Sequence, residues 1–304
     1  MKRTKNIRKE KNAGWESLAG FSCVRGGQYF EDCCGASMAY AESCIYQVRW
    51  KHLERYDVKN GQWHNYPGVL VLPEITGIGA GITYDGTRYL YITRGGRLGD
   101  FYRFDIRENK MEPVKPLDYS RPIGIGSRIT YGNGYVYCLR GDESPDFSRY
   151  DVQADKWEDL PPVNDSMSSL YIGKRCTGLV YVDGYLLAWP DHHVRCFDEK
   201  KGAWNGCFAC TFRPSVDGGM TAYDGHDYVY MVQGGISMTL GRLDVKKRRF
   251  AYLEPRLPDT VSVPGNRLTI VRTEGQEYLY VCRGHDTHEF WRIGTRNLKE
   301  ICVV

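Results

Sequence analysis

The nine-residue stretch RYDVQADKW, residues 149–157, recurs along the chain in close variants. The other full copies are RYDVKNGQW at 55–63, RFDIRENKM at 103–111, CFDEKKGAW at 196–204 and RLDVKKRRF at 242–250. Their aspartates lie 46 to 48 residues apart, and six residues after each comes Trp, Met or Phe. In a degenerate sixth copy, FWRIGTRNL at 290–298, we align Arg292 with the aspartate and Leu298 with the large apolar residue. A period of this length indicates one repeated supersecondary unit.

Each copy follows two short strand-like segments joined by a tight turn. In the second unit these are GAGITY at 79–84 and YLYIT at 89–93, with the turn YDGTR across their junction. The unit therefore predicts four strands, a to d, with the repeated phrase forming strand c and the c–d turn. Six such units fill residues 36–304 and predict an all-β, six-bladed β-propeller of four-stranded antiparallel blades. We expect the aspartate to accept backbone N–H groups in the turn and the tryptophan to wedge between blades.

The closure of the ring is left open by the sequence. WESLAG at 15–20 resembles a further strand d and could complete the last blade from the N-terminal side. LKEICVV at 298–304 could serve the same purpose from the C-terminal side. We favour six blades, and the alternative is seven blades of which one is incomplete.

The repeat resembles the kelch repeat over most of the chain. The kelch blade has Gly-Gly after strand b, then an aromatic residue in strand c and a tryptophan in strand d; matching positions here are Gly95-Gly96, Gly234-Gly235, Tyr56, Phe104, Tyr150, Trp63, Trp157 and Trp204. The match fails where Gly-Gly is lost, at Arg49-Trp50, Arg140-Gly141, Pro190-Asp191 and Arg283-Gly284. The resemblance implies a propeller of the kelch and galactose-oxidase type. It implies little about function, because such propellers include protein-binding modules, sialic acid mutarotases, specifier proteins and copper oxidases.

A ligand is expected on the face formed by the b–c and d–a loops, because these loops vary while the a–b and c–d turns are tight. Basic or polar residues end strand b in most blades, and two arginines open strands a; the candidate ligand-binding residues are Arg49, Arg94, Arg140, Gln233, Arg283, Arg121 and Arg213. Converging guanidinium groups would bind an anionic small molecule or an acidic protein segment. The alternative is that these arginines point between blades and pair with aspartates. A binding module is therefore the first functional hypothesis.

The second hypothesis is an enzyme acting at the same mouth on a carboxylated sugar or small metabolite, of mutarotase, epimerase or lyase type. The b–c loops carry DHH at 191–193 and HDTH at 285–288, and His192 or His285 could carry the proton. His192, His193, His285 and His288 are weak candidates for a metal site, because neither spacing matches a specific motif. CFAC at 207–210 falls in a predicted strand d, which does not favour a zinc or redox motif. We expect no cofactor.

The ends of the chain and its cysteines suggest a compartment. Residues 1–14 form a basic tail, and residues 15–304 form a single propeller domain. The tail is expected to be disordered, and the rest of the chain is close to neutral, so nucleic acid is not the expected partner.

No apolar run reaches the length of a membrane span, and the eleven cysteines lack the dense spacing of a disulfide scaffold. The sequence therefore predicts a cytoplasmic protein without a membrane partner and leaves the oligomeric state open.

Overall fold

The computed structural model describes most of the chain in a series of ranges. These are residues 14–20, 37–49, 51–64, 72, 74, 76–121, 123–142, 144–163, 178–189, 193–209, 212, 219–235, 237–260, 267–283 and 289–303. Within them the protein is almost entirely β-structure, with one short 3₁₀ turn at Thr295–Asn297. No helix in these ranges is long and apolar enough to cross a membrane.

Six antiparallel sheets confirm the predicted six-bladed propeller. Blade one is β2 (Met38–Ala41), β3 (Cys44–Arg49), β4 (His52–Asp57) and β5 (Gln62–His64). Blade two is β6 (Gly81–Tyr84), β7 (Tyr89–Thr93), β8 (Phe101–Asp105) and β9 (Lys110–Pro113). Blade three is β10 (Arg128–Gly132), β11 (Tyr135–Gly141), β12 (Ser144–Asp151) and β13 (Lys156–Leu160). The fourth blade is β14 (Gly178–Val182), β15 (Tyr185–Trp189), β16 (His193–Asp198) and β17 (Ala203–Ala209). Blade five has β18 (Met220–Tyr223), β19 (Tyr228–Val232), β20 (Leu240–Asp244), β21 (Arg249–Glu254) and an added β25 (Lys299–Val303). Blade six has β22 (Arg267–Thr273), β23 (Gln276–Cys282), β24 (Phe290–Gly294) and β1 (Glu16–Ser17).

The repeated phrase has the structural role that was predicted for it. In blade two, Asp105 Oδ1 accepts the backbone N–H groups of Arg107 at 3.0 Å and Glu108 at 3.1 Å. The tryptophans cross to the preceding blade, where the indole N–H of Trp157 donates to the carbonyl oxygen of Lys115 at 2.9 Å. The phrase therefore fixes the c–d turn within a blade and the contact between neighbouring blades.

The last blade takes its outer strand from the N-terminal side of the chain. β1 pairs with β24, with Glu16 opposite Arg292, and this register places Trp15 opposite Ile293. Trp15 is buried in the same cluster as Ile293, so it holds the tryptophan position of blade six. This decides between the two closures that the sequence left open and brings both ends of the chain into one ring.

The alignment of the sixth phrase was wrong by two residues. Gly294, rather than Arg292, pairs with Tyr278 as Asp105 pairs with Tyr89 in blade two. Leu298 does not take the tryptophan position either, because β25 runs past blade six and joins the outer edge of blade five. The error arose because strand d of blade six lies at the other end of the sequence, so no local phrase encodes it.

Arginines of strand c form a second repeated contact on the blade surfaces. In blades two, three, five and six the guanidinium lies over the first tyrosine of strand b, 4.1–5.0 Å from the ring centroid; the arginines are Arg103, Arg149, Arg242 and Arg292. Each pairs with a glutamate of the adjoining outer strand, respectively Glu112, Glu158, Glu300 and Glu16. In blade five this glutamate comes from β25, because strand d has Ala251 opposite the arginine. Cation–π and ionic contacts therefore clamp strands b, c and d together.

The apolar core lies between the faces of neighbouring sheets. One cluster joins Val180 and Leu187 of blade four to Val229, Met231 and Leu243 of blade five. Other clusters join the remaining neighbouring pairs around the ring. This packing leaves the inner edges of the six strands a facing the axis.

Candidate functional site

A channel of about 590 Å³ runs along the axis of the propeller. All six strands a contribute to its wall, from Ser37–Tyr40 of blade one round to Arg267–Ile270 of blade six. Ligand sites are usually concave and largely pre-formed, and this space has a rigid wall and is connected to solvent. The channel is therefore the candidate site, and its two ends differ in chemistry.

Two arginines stand at the end that opens toward the b–c and d–a loops. Arg128 and Arg267 are the first residues of β10 and β22, and both line the channel. The Arg128 guanidinium donates to the backbone carbonyl oxygens of Ser127 at 2.8 Å and, from blade three to blade five, of Gly219 at 3.5 Å. Within the described part of the chain it forms no ion pair with a carboxylate. Arg267 is buried and donates to Cys282 Sγ at 3.6 Å.

Tyrosines surround the other end, near the a–b turns. Five strands a contribute one each, and blade six contributes Ile270; the tyrosines are Tyr40, Tyr84, Tyr131, Tyr181 and Tyr223. Burial raises the pKa of all five phenols, that of Tyr223 to about 12. The Tyr181 hydroxyl donates to Glu199 Oε2 at 2.8 Å. Asp224 and Arg272 line this end as well, so a neutral, aromatic end faces a positively charged one.

Three arginines that end strand b are paired with carboxylates. Arg94 Nη1 lies 2.7 Å from Asp100, and Arg283 Nη1 lies 2.6 Å from Glu289 and 3.1 Å from Asp259. Arg49 Nη2 lies 2.7 Å from Glu54, which also accepts a bond from Gln47 Nε2 at 2.6 Å. None of the three belongs to the described wall of the channel.

Arg140, Arg121 and Gln233 have different surroundings. The Arg140 side chain is 2% exposed and donates to Ser148 Oγ and to the carbonyl oxygens of Asp118 and Arg121. Arg121 itself pairs with Asp159 at 2.7 Å and with Asp118 at 3.3 Å. The backbone N–H of Gln233 donates to Thr239 O at 3.0 Å within its own b–c loop. The predicted ring of ligand-binding residues thus consists mainly of side chains that already have acidic or carbonyl partners, and its ligand stays a prediction.

Several predicted site residues lie outside the described residues. These are Arg213, His192, His285 and His288. His193 is the first residue of β16, where it pairs with Ala209 of β17. Within the described ranges, no cluster of three or more His, Cys, Asp or Glu side chains could hold a metal ion. Cys207 falls in β17, as predicted. Five cysteines of the described ranges are free thiols, namely Cys44, Cys138, Cys196, Cys282 and Cys302.

The sequence did not predict Arg128 and Arg267 as site residues. Basic residues were expected at the end of strand b and, for blade three, with Arg121 opening strand a; this expectation was wrong, because that strand begins seven residues later, at Arg128. The repeat contains a usable signal, because Gly81 and Gly178 begin the same strand in blades two and four without a side chain. An arginine where two other blades have glycine is a difference that the aligned repeat alone shows.

Comparison with known proteins supports the fold and goes no further. No family model matches the chain, and no curated protein matches it in sequence. A structural genomics protein of unknown function from Bacteroides thetaiotaomicron superimposes with a TM-score of 0.62 at 12% identity, over 94% of this chain and 76% of the other. A chain from the crystal structure of a nidogen/laminin complex superimposes with a TM-score of 0.54 at 11% identity, over 78% of this chain and 83% of the other. At such identities the likeness shows a β-propeller and nothing about its ligand.

Proposed function

We propose that this propeller is a kelch-like binding module whose b–c/d–a mouth holds an anionic small molecule or an acidic protein segment. The observation that carries the proposal is Arg128, which stands at the channel mouth with its guanidinium held by two backbone carbonyl oxygens. Carbonyl oxygens orient a guanidinium without neutralising it. The positive charge is therefore kept for a ligand, and the remaining N–H donors suit a carboxylate or phosphate.

The charge of the channel wall supports this assignment. Arg128 and Arg267 both stand at this end, and Asp224, near the a–b turns, is the carboxylate among the described wall residues. Positive charge inside a narrow channel acts through a medium of lower dielectric than bulk water, so it attracts an anion more strongly than surface charge does. An anionic group entering from the b–c/d–a face would meet Arg128 first.

In this proposal the partly exposed arginines of the ring assist at the rim. The Arg94 side chain is 18% exposed and that of Arg283 is 23% exposed, so each can exchange its carboxylate partner for one supplied by an acidic segment. The ligand must displace Asp100 and Glu289 from these arginines, and this displacement reduces the binding free energy that the rim contributes. A ligand therefore gains more at Arg128 than at the rim.

The binding role draws modest support from the comparisons. The nidogen/laminin structure contains a chain of this fold within a complex of two proteins.

The spacing of the repeat and the tryptophan contacts support the kelch likeness. The free thiols support the cytoplasm as the proposed compartment.

The test is to measure ligand binding to the purified protein by thermal shift and by calorimetry. The panel holds sialic acids, other acidic sugars, nucleotides and acidic peptides. A ligand at about one hundred times its Kd should stabilise the protein by about 2.7 kcal/mol. We expect Arg128→Ala to weaken the binding of any hit by about tenfold or more, since one charge-assisted contact is lost.

Arg97→Ala is the matched control. Arg97 is 73% exposed, pairs with Asp142, and lies in a b–c loop of the same face without lining the channel. If both variants bind the hit equally well, or if no anion binds, the proposal fails. Chemical change of a bound sugar during the assay, followed by NMR, would favour the enzymatic alternative.

A further inference from the structure

Blade four lacks the arginine contact that clamps strands b, c and d in its neighbours. The residue at the arginine position is Cys196, which pairs with Leu187 of β15. In blades two, three, five and six this partner is a tyrosine, as in the pair Tyr91 and Arg103. Asn205 follows Trp204 where Glu112 follows Met111 in blade two. Tyrosine, arginine and glutamate are thus replaced by leucine, cysteine and asparagine together.

The outer strand of blade four also bends away at this point. The register of β16 and β17 shifts between Arg195 and Phe197, which pair with Cys207 and Trp204 respectively. Asn205 and Gly206 therefore both face Cys196, which is a β-bulge, and Gly206 has φ +62. Bulges redirect a strand locally and occur often beside functional sites. Here the bulge widens the space that the missing arginine leaves.

The result is a pocket of about 270 Å³ between blades four and five. Its floor is apolar, with Val182 and Leu187 from one blade and Leu243 and Val245 from the other. Tyr185 forms one side and is 46% exposed. The equivalent tyrosines, Tyr89, Tyr135, Tyr228 and Tyr278, are less exposed because an arginine covers each ring. We call this space the blade-four pocket.

The rim of the blade-four pocket is positively charged. Lys246 and Arg248 line it from the c–d turn of blade five, and the described lining contains no carboxylate. Lys246 forms an ion pair with Asp227 at 2.5 Å, which offsets its charge. Arg248 therefore attracts an anionic ligand more strongly than Lys246 does. A cation in the place of the missing arginine would be repelled, whereas an anion would be attracted.

We propose that the blade-four pocket binds a small aromatic carboxylate. Its flat ring would lie on Tyr185, where the other blades place a flat guanidinium, and would bury apolar area against Leu187 and Val245. Its carboxylate would reach the Arg248 guanidinium at the rim. This site is separate from the axial channel, and it does not depend on the function proposed there.

Binding of 2-naphthoate and of its uncharged analogue, 2-naphthamide, tests the proposal by calorimetry and by NMR of the ligand. We expect naphthoate to bind and naphthamide to bind about tenfold more weakly, since the amide loses the charge-assisted contact. The repeat itself supplies the blocking variant. Cys196→Arg with Asn205→Glu restores the arginine and glutamate of the other blades and should fill the pocket, so naphthoate binding is lost.

A milder variant keeps the test decisive if the blocked protein does not fold. Arg248→Asn removes the charge and suits the turn, because Asn109 occupies the same position in blade two with φ 52, close to the φ of 54 at Arg248. It should weaken naphthoate binding by about tenfold and leave naphthamide unchanged. Lys247→Ala is the matched control, because Lys247 is an exposed cation of the same turn outside the pocket.

Three results would overturn the proposal. Naphthoate could fail to bind the wild-type protein at millimolar concentration, or it could bind the blocked variant as well as the wild type. It could also lose as much affinity from Lys247→Ala as from Arg248→Asn, which would show attraction to general surface charge.

Discussion

At the scale of single residues, the arginines that end strand b show how one residue type serves different purposes at equivalent positions. Arg140 is buried among carbonyl and hydroxyl oxygens, with Asp159 at 3.9 Å. Arg283 occupies the same place in blade six but keeps part of its side chain in solvent. The sequence shows the common position and predicts the common face. It does not show burial, which depends on the loop that folds over each arginine.

Replacing these two arginines should therefore have unequal effects on stability. Arg140→Met leaves the acceptors at Ser148, Asp118 and Arg121 without their buried donor, and we expect a loss of about 3 kcal/mol in the free energy of unfolding. Arg283→Met removes a partly exposed ion pair, and we expect a loss of under about 1 kcal/mol. Urea denaturation of both variants measures the difference. Equal losses would mean that Arg140 does not hold its loop as the geometry implies.

At the scale of elements, the outer strands determine how the ring closes and how blade five is completed. The a, b and c strands of each blade are contiguous in sequence, and for this reason the repeat predicts them well. The outer strand of blade six is separated from its partner by nearly the whole chain, as the pairing of Glu16 with Arg292 shows. Pairing between residues so far apart in sequence produces only a weak local pattern, so either terminal segment could have been the outer strand of blade six. β25 could not be predicted as a fifth strand, because its partner β21 already completes a blade.

The two terminal strands should contribute unequally to stability. Trp15→Ala removes a buried indole from the cluster that closes the ring, and we expect a loss of about 3–5 kcal/mol. Glu300→Ala removes the partner of Arg242 from an added edge strand, and we expect a loss of about 1 kcal/mol. Chemical denaturation followed by circular dichroism compares the two. A larger effect of Glu300→Ala would mean that β25, rather than β1, is the strand on which closure depends.

At the scale of the whole molecule, five of the six described clusters between blades contain at least one buried tyrosine, and the cluster between blades four and five contains none. The chain has 23 tyrosines, and several second tyrosines of strand b are fully buried, among them Tyr91, Tyr137, Tyr230 and Tyr280. The sequence predicts these positions because the Tyr-x-Tyr motif recurs in strand b. It does not predict the channel, because the position of Arg128 or Tyr223 relative to the axis exists only once six blades have assembled. The sequence therefore predicts the scaffold better than it predicts the site.

The buried tyrosines predict a steep loss of stability at alkaline pH. Desolvation raises the pKa of Tyr56, Tyr223 and Tyr230 from 10.0 to about 12 in the folded protein. A group with a raised folded pKa holds its proton more tightly when folded, so its contribution is complete below about pH 10, the pKa in the unfolded chain. The contribution is lost as the pH rises from there toward 12. Tyr56 lies in blade one and the other two tyrosines in blade five, and their losses add within one cooperative structure.

Alkaline titration followed at once by tyrosinate absorbance and by circular dichroism measures this effect. We expect exposed tyrosines to ionise first, and a second group to ionise only together with the loss of β-sheet signal. Tyr230→Phe keeps the ring in the core without an ionisable hydroxyl, so unfolding should move to higher pH; Tyr185→Phe, at an exposed ring, is the control and should leave the transition in place. Complete ionisation near pH 10 with an unchanged sheet signal would contradict the tight burial of the blade interfaces, and with it the rigidity that both proposed sites require.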